Sequence, residues 1–410
     1  MARSVDVVVV GGGIAGSAVA AQLAAAGLSV LVLERQEEFK DRVRGEAMPP
    51  WGVAELRRLG LEDVLVAAGG GFSPTIIGYD EVVDPEEARA FPAPLEIFVD
   101  GVPGFFNCGH PQACEALLTH AATSGAEVVR GVGDVGLTPG ASPTVRYIAD
   151  GESADVSCRI VVGADGRQST VRRAIGIELE QVAAKAMLGG MLVADVDAGD
   201  SIILGTSGNV HYLVFPRPNG LARLYLGRSR DDRDATSGGD KAEQFLEPFR
   251  RGCFPGSEAF GDATPAGPCA YFPGTDTWTD HPMAMGVVLI GDAAGWSDPI
   301  LGQGLSIAMR DARSVADVLL GGDEWHPHAF RSYVEERNER MRRLRVATYL
   351  DTELRCTFTA EGRARRKAFF DRQFEDPNLF GVLQCALSGP ESAPAGTFTD
   401  ENIQKVLALA

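Results

Sequence analysis

The sequence predicts an α/β protein: a doubly wound parallel sheet with an inserted antiparallel β-sheet and C-terminal helices. Three observations carry that prediction. A β-branched run, a glycine turn and an Ala/Leu-rich helix open the chain; two later junctions, after Val162 and after Ile290, again run from an apolar strand into a glycine-containing turn; and four short apolar runs between them lie at hairpin spacing.

Residues 5–10 read as a short strand ended by Gly11, 14–26 as a helix closed by Gly27, and 29–33 as the next strand. Strand, helix and strand within about 30 residues form the βαβ unit that starts a parallel sheet. Residues 113–124 read as a helix, 156–162 and 287–290 as buried strands, and 305–320 as the helix after the last glycine turn. The runs 189–195, 201–206, 209–215 and 221–227 favour an antiparallel sheet. The polar segment 228–240 reads as a surface loop, and the Arg-rich amphipathic stretch 330–350 as a helix on the outside of the domain. These readings divide the chain into a nucleotide-binding domain in three segments, 1–75, 105–185 and 275–320. A β-rich substrate domain takes 76–104 and 186–274, and a helical region takes 321–410.

Composition narrows the function. The 410 residues hold 45% hydrophobic and 23% charged side chains, the usage of an ordinary folded enzyme. The net charge of −18, from 38 Lys+Arg against 56 Asp+Glu, would repel a polyphosphate backbone, so no nucleic-acid partner is expected. Seven cysteines without a C-x-x-C pair fit a reduced compartment and small buried hydrophobes, and no metal is expected. The apolar stretch 7–27 is broken by three consecutive glycines and by Gln22, which argues against a membrane helix or a secretory core and for a cytoplasmic location without a membrane anchor.

The segment Gly11-Gly12-Gly13-Ile14-Ala15-Gly16 fits G-x-G-x-x-G and stands between strand and helix, where a dinucleotide site requires it. Gly11 permits the tight turn, Gly13 admits a pyrophosphate to the backbone, and Gly16 lets helix and strand pack closely. Ile14 and Ala15 open a helix whose N-terminal N–H groups and dipole favour phosphate. Glu34, ending the second strand, is placed to accept hydrogen bonds from a ribose diol. This motif alone does not choose between NAD and FAD.

Two further segments make that choice. Val161-Val162-Gly163-Ala164-Asp165-Gly166-Arg167-Gln168-Ser169-Thr170-Val171-Arg172, and Leu289-Ile290-Gly291-Asp292-Ala293-Ala294 continuing to Pro299 and Gly302-Gln303-Gly304, resemble the group A flavoprotein monooxygenases of the para-hydroxybenzoate hydroxylase type. All three fingerprints occur in that family's order over most of the chain. The resemblance implies a glutathione-reductase-like Rossmann fold of the FAD/NAD(P)-binding kind, with FAD as its cofactor. Asp292 would then hold the ribityl chain, Asp165 would support flavin binding, and Arg172 would contact cofactor or nicotinamide; an ordinary Asp-Gly turn and a solvated charge are the alternatives for the last two. Arg44, in Arg44-Gly45-Glu46, resembles the family's FAD-touching arginine, with a local Arg-Glu surface pair as the alternative, and Arg35 reads either as a contact on the adenosine side or as an exposed charge. Gln112 stands where relatives carry an arginine facing the ribityl chain.

A helix beginning near Leu305 would aim free N–H groups at the pyrimidine edge of a flavin, where the reduced ring gathers negative charge. Gly302 and Gly304 let the backbone approach, and the resemblance implies that Leu305 and Ser306 are the donors and that Pro299 borders the substrate and serves the chemistry. His211, Tyr225 and Trp296 are expected to line the pocket, and no side chain stands out as a catalytic base.

The resemblance implies that NADH or NADPH binds transiently over the flavin and reduces it, with no separate reductase. It implies that O2 is captured as a flavin C4a-hydroperoxide, which hydroxylates or epoxidises an electron-rich, aromatic small molecule. Three other readings stay open. A flavin halogenase would carry W-x-W-x-I-P, absent here; a geranylgeranyl-reductase-like saturase usually carries a tryptophan where this chain has Val214; and a non-catalytic flavin-binding protein leaves no mark in the sequence. A plain NAD-dependent dehydrogenase leaves Asp292 and its loop without a use.

Overall fold

The computed structural model describes residues 3–43, 45–232 and 241–409. In chain order, the elements that position the site begin with β1 (Val7–Val10), α1 (Ile14–Ala25), β2 (Val30–Leu33) and α2 (Pro50–Arg58). Next come β3 (Thr75–Gly78), α3 (His110–Thr123), β4 (Glu127–Val129), β5 (Ile160–Gly163) and α4 (Thr170–Ala174). The long strands β6 (Ala186–Ala194), β7 (Ile202–Ser207), β8 (Val210–Arg217) and β9 (Leu221–Ser229) precede α5 (Lys241–Arg250) and β10 (Ala270–Pro273). After β11 (Met283–Ala284) and β12 (Val287–Leu289) come α6 (Gly304–Leu320), α7 (Arg331–Arg355), α8 (Ala360–Arg372), α9 (Pro377–Leu387) and α10 (Asp400–Leu407). No described helix is long and apolar enough to cross a membrane.

The nucleotide-binding sheet has the order β11-β12-β5-β1-β2-β4, parallel except at the β11 edge. Its central strand is all valine because both faces are covered: Val7 and Val9 pack with α1, α3 and α6, while Val8 and Val10 face the layer that holds Val145 and Tyr147. The predicted strand 156–162 is two strands. Residues up to Ser157 close a hairpin of another sheet, and the Arg159 and Ile160 N–H groups both donate to Asp6 O, which restarts the chain as β5.

The second sheet aligns β6, β9, β8, β7 and β3, with β10 on the far side of β6. It is antiparallel except where β3 joins β7 in parallel, with Ile76 opposite Ile202. Side chains alternate across it. Tyr212, Val214, Leu224 and Leu226 face Phe245, Leu246 and Phe249 of α5, whereas Leu213, Phe215 and Tyr225 face the interior of the molecule. The loop expected at 228–240 falls partly outside the described residues.

The Arg-rich stretch forms α7, but not on the outside. Its Met341, Leu344, Ala347, Leu350 and Leu354 are buried against α8, α9 and α10, and two of its arginines are buried as well. Arg337 and Arg340 close on the carboxylate of Asp311 in α6 at 3.0 and 2.6 Å. Asp311 also accepts the Gly291 N–H at 2.8 Å, so one carboxylate joins the last sheet strand, α6 and α7. A second clasp runs from Asp80, after β3, to Arg366 of α8 at 3.0 Å, and Arg366 Nη1 donates to Leu354 O at 3.2 Å. The C-terminal helices are thereby fastened to the second sheet.

Burial alone would raise the Asp311 pKa, yet Arg337 and Arg340 hold it below the ordinary carboxylate range. A depressed native pKa contributes stability that is present at neutral pH and lost only as the pH falls through the acid range. Asp311→Ala strands two buried guanidinium groups and is expected to cost about 3–5 kcal/mol in urea unfolding at pH 7. A loss below about 1 kcal/mol would show that the cluster does not hold the helices to the sheet.

Candidate functional site

The glycine turn is built as backbone sterics require. Gly11 has φ +104, and a Cβ there would lie 2.4 Å from Ala164 O; a Cβ on Gly16 would lie 1.9 Å from Gly11 O. Gly13 differs, since a Cβ there would meet nothing within 4 Å. It caps α1 with no side-chain bond, and the first backbone bond of the helix is Ser17 N–H to Gly13 O at 2.9 Å. The N–H groups of Ile14, Ala15 and Gly16 precede that bond at the edge of a large cavity lined by Gly11, Gly13, Ile14 and Ala15. Glu34 is buried at the same edge, accepting the N–H of Gly12 at 2.6 Å and of Gln36 at 2.8 Å, and exposed Arg35 stands at the cavity mouth.

The other two fingerprints reach the same cavity from the neighbouring strands. Asp165 lines it while accepting the N–H groups of Thr170 at 2.6 Å and Val171 at 3.2 Å, so this carboxylate also caps α4. Arg172 does not line the cavity. It is buried, donating to Ala293 O at 2.9 Å and Arg167 O at 3.0 Å, and so ties the second fingerprint to the third. Asp292 lines the cavity and pairs with Arg167 at 3.3 Å.

Pro299 opens a single 3-10 turn, Gly302 follows with φ +65, and α6 starts at Gly304, where a Cβ would meet nothing within 4 Å. The first bond of α6 is Ile307 N–H to Gln303 O at 3.0 Å, which leaves the N–H groups of Gly304, Leu305 and Ser306 ahead of it. Leu305 lines the cavity; the Ser306 side chain turns away, for a Cβ on Gly52 of α2 would lie 2.0 Å from its Oγ. Gln303 fixes the turn, accepting from Trp51 Nε1 at 2.8 Å and donating to Ala386 O at 3.2 Å.

Gln112 and Trp296, like Arg172, lie off the cavity. Arg44 falls outside the described residues. Gln112 is exposed and folds back on Gly109, while His110, two residues earlier, faces the cavity. Trp296 is off the cavity: its Nε1 donates to Thr275 Oγ1 at 3.3 Å and Arg167 lies over its ring, so its neighbour Ser297 faces inward instead.

The cavity, about 850 Å³, continues from the glycine turn into a mostly apolar pocket. The second sheet supplies one wall with Leu204, Leu213, Phe215 and Tyr225, as well as His211. The opposite wall comes from the C-terminal helices through Leu354, Phe369, Phe370, Leu383 and Leu387, which no motif marks. The sequence signals for it are the Phe369-Phe370 pair within the charged stretch 360–372 and the uncharged stretch 377–387. Burial, then the nearby Arg355 charge, pushes His211 well below its ordinary pKa and keeps it neutral; burial raises the Tyr225 hydroxyl. Behind Pro299, burial pushes Asp298 up to about 7, helped by Asp276 and Asp351, while Asp276 is pushed up to about 6.

These residues fit FAD. Two uncapped helix starts face one cavity, both beside glycines whose missing side chains leave open space, and a buried carboxylate stands at the end of β2. The family described as "FAD binding domain" matches residues 4–347. A rifampicin monooxygenase of Streptomyces venezuelae is 26% identical over 394 residues, 92% of this chain and 77% of that protein. A digeranylgeranylglycerophospholipid reductase of Methanothermobacter thermautotrophicus is 30% identical over 323 residues, 76% of this chain and 77% of that protein. The solved structure of a p-nitrophenol 4-monooxygenase from Pseudomonas putida shares the fold with a TM-score of 0.80 at 20% identity, covering 94% of this chain and 99% of that one.

The open space at Gly13 separates binding from folding. Gly13→Val should leave the unfolding free energy of the FAD-free protein within about 1 kcal/mol of the parent yet weaken FAD retention by at least about tenfold, whereas Gly16→Val should lower the folded yield. Flavin absorbance after gel filtration and a denaturation curve check both. Asp298 gives a pH test. Its native pKa is raised from about 4 to about 7, so the folded state holds the extra proton and stability falls as the pH rises between those values. Asp298→Asn should make that slope shallower in unfolding measurements from pH 5 to 8; an unchanged slope would mean that Asp298 does not titrate there.

Proposed function

We propose, from the premise that this chain belongs to the FAD-binding-domain family and is a class A FAD-dependent monooxygenase, that it oxygenates an electron-rich, mostly apolar small molecule using O2 and a reduced nicotinamide. One observation carries this reading: a single continuous cavity joins the glycine turn, the start of α6 and a mostly apolar pocket. When bound, FAD supplies the redox chemistry, taking electrons from NADH or NADPH and passing them to O2. The chain supplies the rest.

The N–H groups of Ile14 and Ala15 take the pyrophosphate, Glu34 the adenosine ribose, and Asp292 the ribityl chain. Arg35 flanks the adenosine side. Leu305 and Ser306 would offer backbone N–H groups to the flavin, where the helix start would favour negative charge. Gly302 and Gly304 keep that approach open, and Pro299 bounds the place where ring and substrate meet. Asp165 and Arg172 act at one remove, by capping α4 and by holding the second fingerprint to the third. The apolar wall from β8, β9 and the C-terminal helices keeps water from the reacting centre. No second glycine-rich nucleotide unit stands in the sequence, so the nicotinamide is expected to bind transiently and no separate reductase is invoked; the enzyme is placed in the cytoplasm.

A second reading, reduction of a carbon–carbon double bond, has in its favour the 30% identical reductase and a pocket apolar enough for an isoprenoid chain. Turnover under isotope-labelled O2 separates the two. Label in the product, with NAD(P)H consumed in equal amount, is the expected result; a saturated, unlabelled product formed without O2 would assign the reductase chemistry, and a halogenated product a halogenase.

A further inference from the structure

The cavity has two ends, and FAD fills one of them. With FAD in the groove between the glycine turn and the start of α6, a path into the apolar pocket that leaves the cofactor in place must start at the other end, where α8 gives way to α9. The wall there is thin. Phe370 and Gln373, at the end of α8, line the cavity, whereas the next residue, Phe374, is 76% exposed. Leu383 of α9 and Ile76 of β3 also line the cavity, and both pack with Phe98 on one apolar cluster.

Three rings stand across this end. Phe374 lies 5.7 Å from Phe380, and Phe380 lies 6.5 Å from Phe98, centroid to centroid. Phe98 belongs to the turn 95–101, held at its two ends by the Leu95 N–H bond to Pro74 O at 2.9 Å and the Arg57 Nη1 bond to Gly101 O at 2.6 Å. Among the described residues no hydrogen bond or ion pair joins 91–104 to 373–387, so the two sides meet through apolar contact alone. The helix side is fixed: Arg366 of α8 closes on Asp80, while Asp376 accepts the Asn378 N–H at 2.9 Å at the start of α9 and pairs with Lys405. Phe98 is thus the part free to move, and an aromatic pair favours a closed state over an open one by a factor of only about 2–13. Outside the pair, Ile97 is 68% exposed, so with Phe374 it leaves apolar surface in water beside the thin wall.

We propose that this end of the pocket is the entrance for an uncharged, apolar substrate, with Phe98 and Phe380 as its gate and Ile97 and Phe374 as the apolar shelf on which an incoming molecule lands. The substrate then reaches the pocket without displacing FAD. A charged molecule is turned back at the shelf, because no side chain there repays the loss of its hydration. A gate outside the bound position changes the rates of entry and exit together and leaves affinity unaltered. The inference rests on the cavity being the substrate site of the proposed enzyme.

The test is thiol labelling with N-phenylmaleimide, a small apolar reagent, of a Leu213→Cys protein in its FAD-loaded and FAD-free forms, read by peptide mass. Leu213 is buried and lines the pocket from β8, so a thiol there reports on reagent that has entered. Labelling at position 213 should persist in the FAD-loaded form. Adding Phe98→Ala should speed it by about three- to tenfold, and Phe98→Tyr, which keeps the ring, should leave the rate at the parent value. Cys158 and Cys385, buried away from the cavity, should stay unlabelled throughout. Labelling at 213 in the FAD-free form alone would move the entrance to the groove, an unchanged rate in Phe98→Ala would remove the gate, and labelling of Cys158 or Cys385 in that variant would mean general loosening; each overturns the proposal. Because nothing is turned over, failure to incorporate labelled oxygen would sink the monooxygenase reading and leave this result standing.

Discussion

The site depends on a carboxylate that never reaches it. Asp311 is fully buried between Arg337 and Arg340 and receives the Gly291 N–H, so it fixes the residue just before Asp292 against both helices behind the sheet. Arg337 adds long contacts from Nη2 to the carbonyls of Gly291 and Gly295, at 3.4 and 3.3 Å, and the Tyr333 hydroxyl donates to Leu289 O at 2.7 Å. The end of β12, the turn carrying Asp292 and the start of α6 thus share one frame. A buried charge cluster is a poor source of net stability against a well-packed apolar core, because desolvation offsets most of the attraction. What it imposes is geometry: any shift of the turn or of α7 would leave a charge unpaired in the interior. That constraint suits a site whose donors are backbone N–H groups, which have no side-chain freedom with which to correct an error of position.

The half of the site made of backbone was legible in the sequence for the same reason. Gly11 and Gly16 are read from sequence because any side chain there would overlap Ala164 O or Gly11 O, and the βαβ unit forms within two residues of its expected bounds. Parallel strands covered on both faces leave unbroken valine, and antiparallel strands covered differently on each face leave alternation, so both sheets announce their class. The split at 158–159 was not legible, since Arg159 is the one charged residue of 156–162 and no glycine or proline marks the point where the chain changes sheets.

Side-chain roles were less visible. Arg172 looks like a cofactor arginine by motif position, but its length lets it cap carbonyls on two loops instead. Trp296 follows the third fingerprint directly, yet Gly295 takes φ +115 and the next side chain packs against Thr275 and Arg167. Most of all, 330–350 reads as a charged exterior because its arginines are abundant, and sequence does not reveal that Arg337 and Arg340, or Arg366 in α8, are buried with acidic partners from other elements. Long-range pairing of that kind converts an apparently solvated face into a pocket wall.

The two halves of the cavity therefore answer to different constraints. The groove is held by glycines and helix starts, where a side chain either overlaps backbone, as at Gly11 and Gly16, or fills the open space beside a helix start, as at Gly13 and Gly304, so it tolerates little variation. The pocket is assembled from the interior face of one sheet, the turn at 299–301 and three C-terminal helices, and what fastens those helices to the sheet includes the Asp80–Arg366 clasp, which does not line the cavity. Pocket side chains can change without disturbing either the clasp or the groove. A common FAD frame can thus serve oxygenation in one relative and reduction in another, and what separates them must lie in the residues that β8, β9 and α7 to α9 turn inward. In this chain those residues are apolar apart from a few polar positions, among them His211 and Arg355 on either side of Thr206, where the sheet and α7 meet. Selectivity placed there is set by the joint between two separately folded walls, so it depends on the clasp that holds them together as much as on the side chains that touch a ligand.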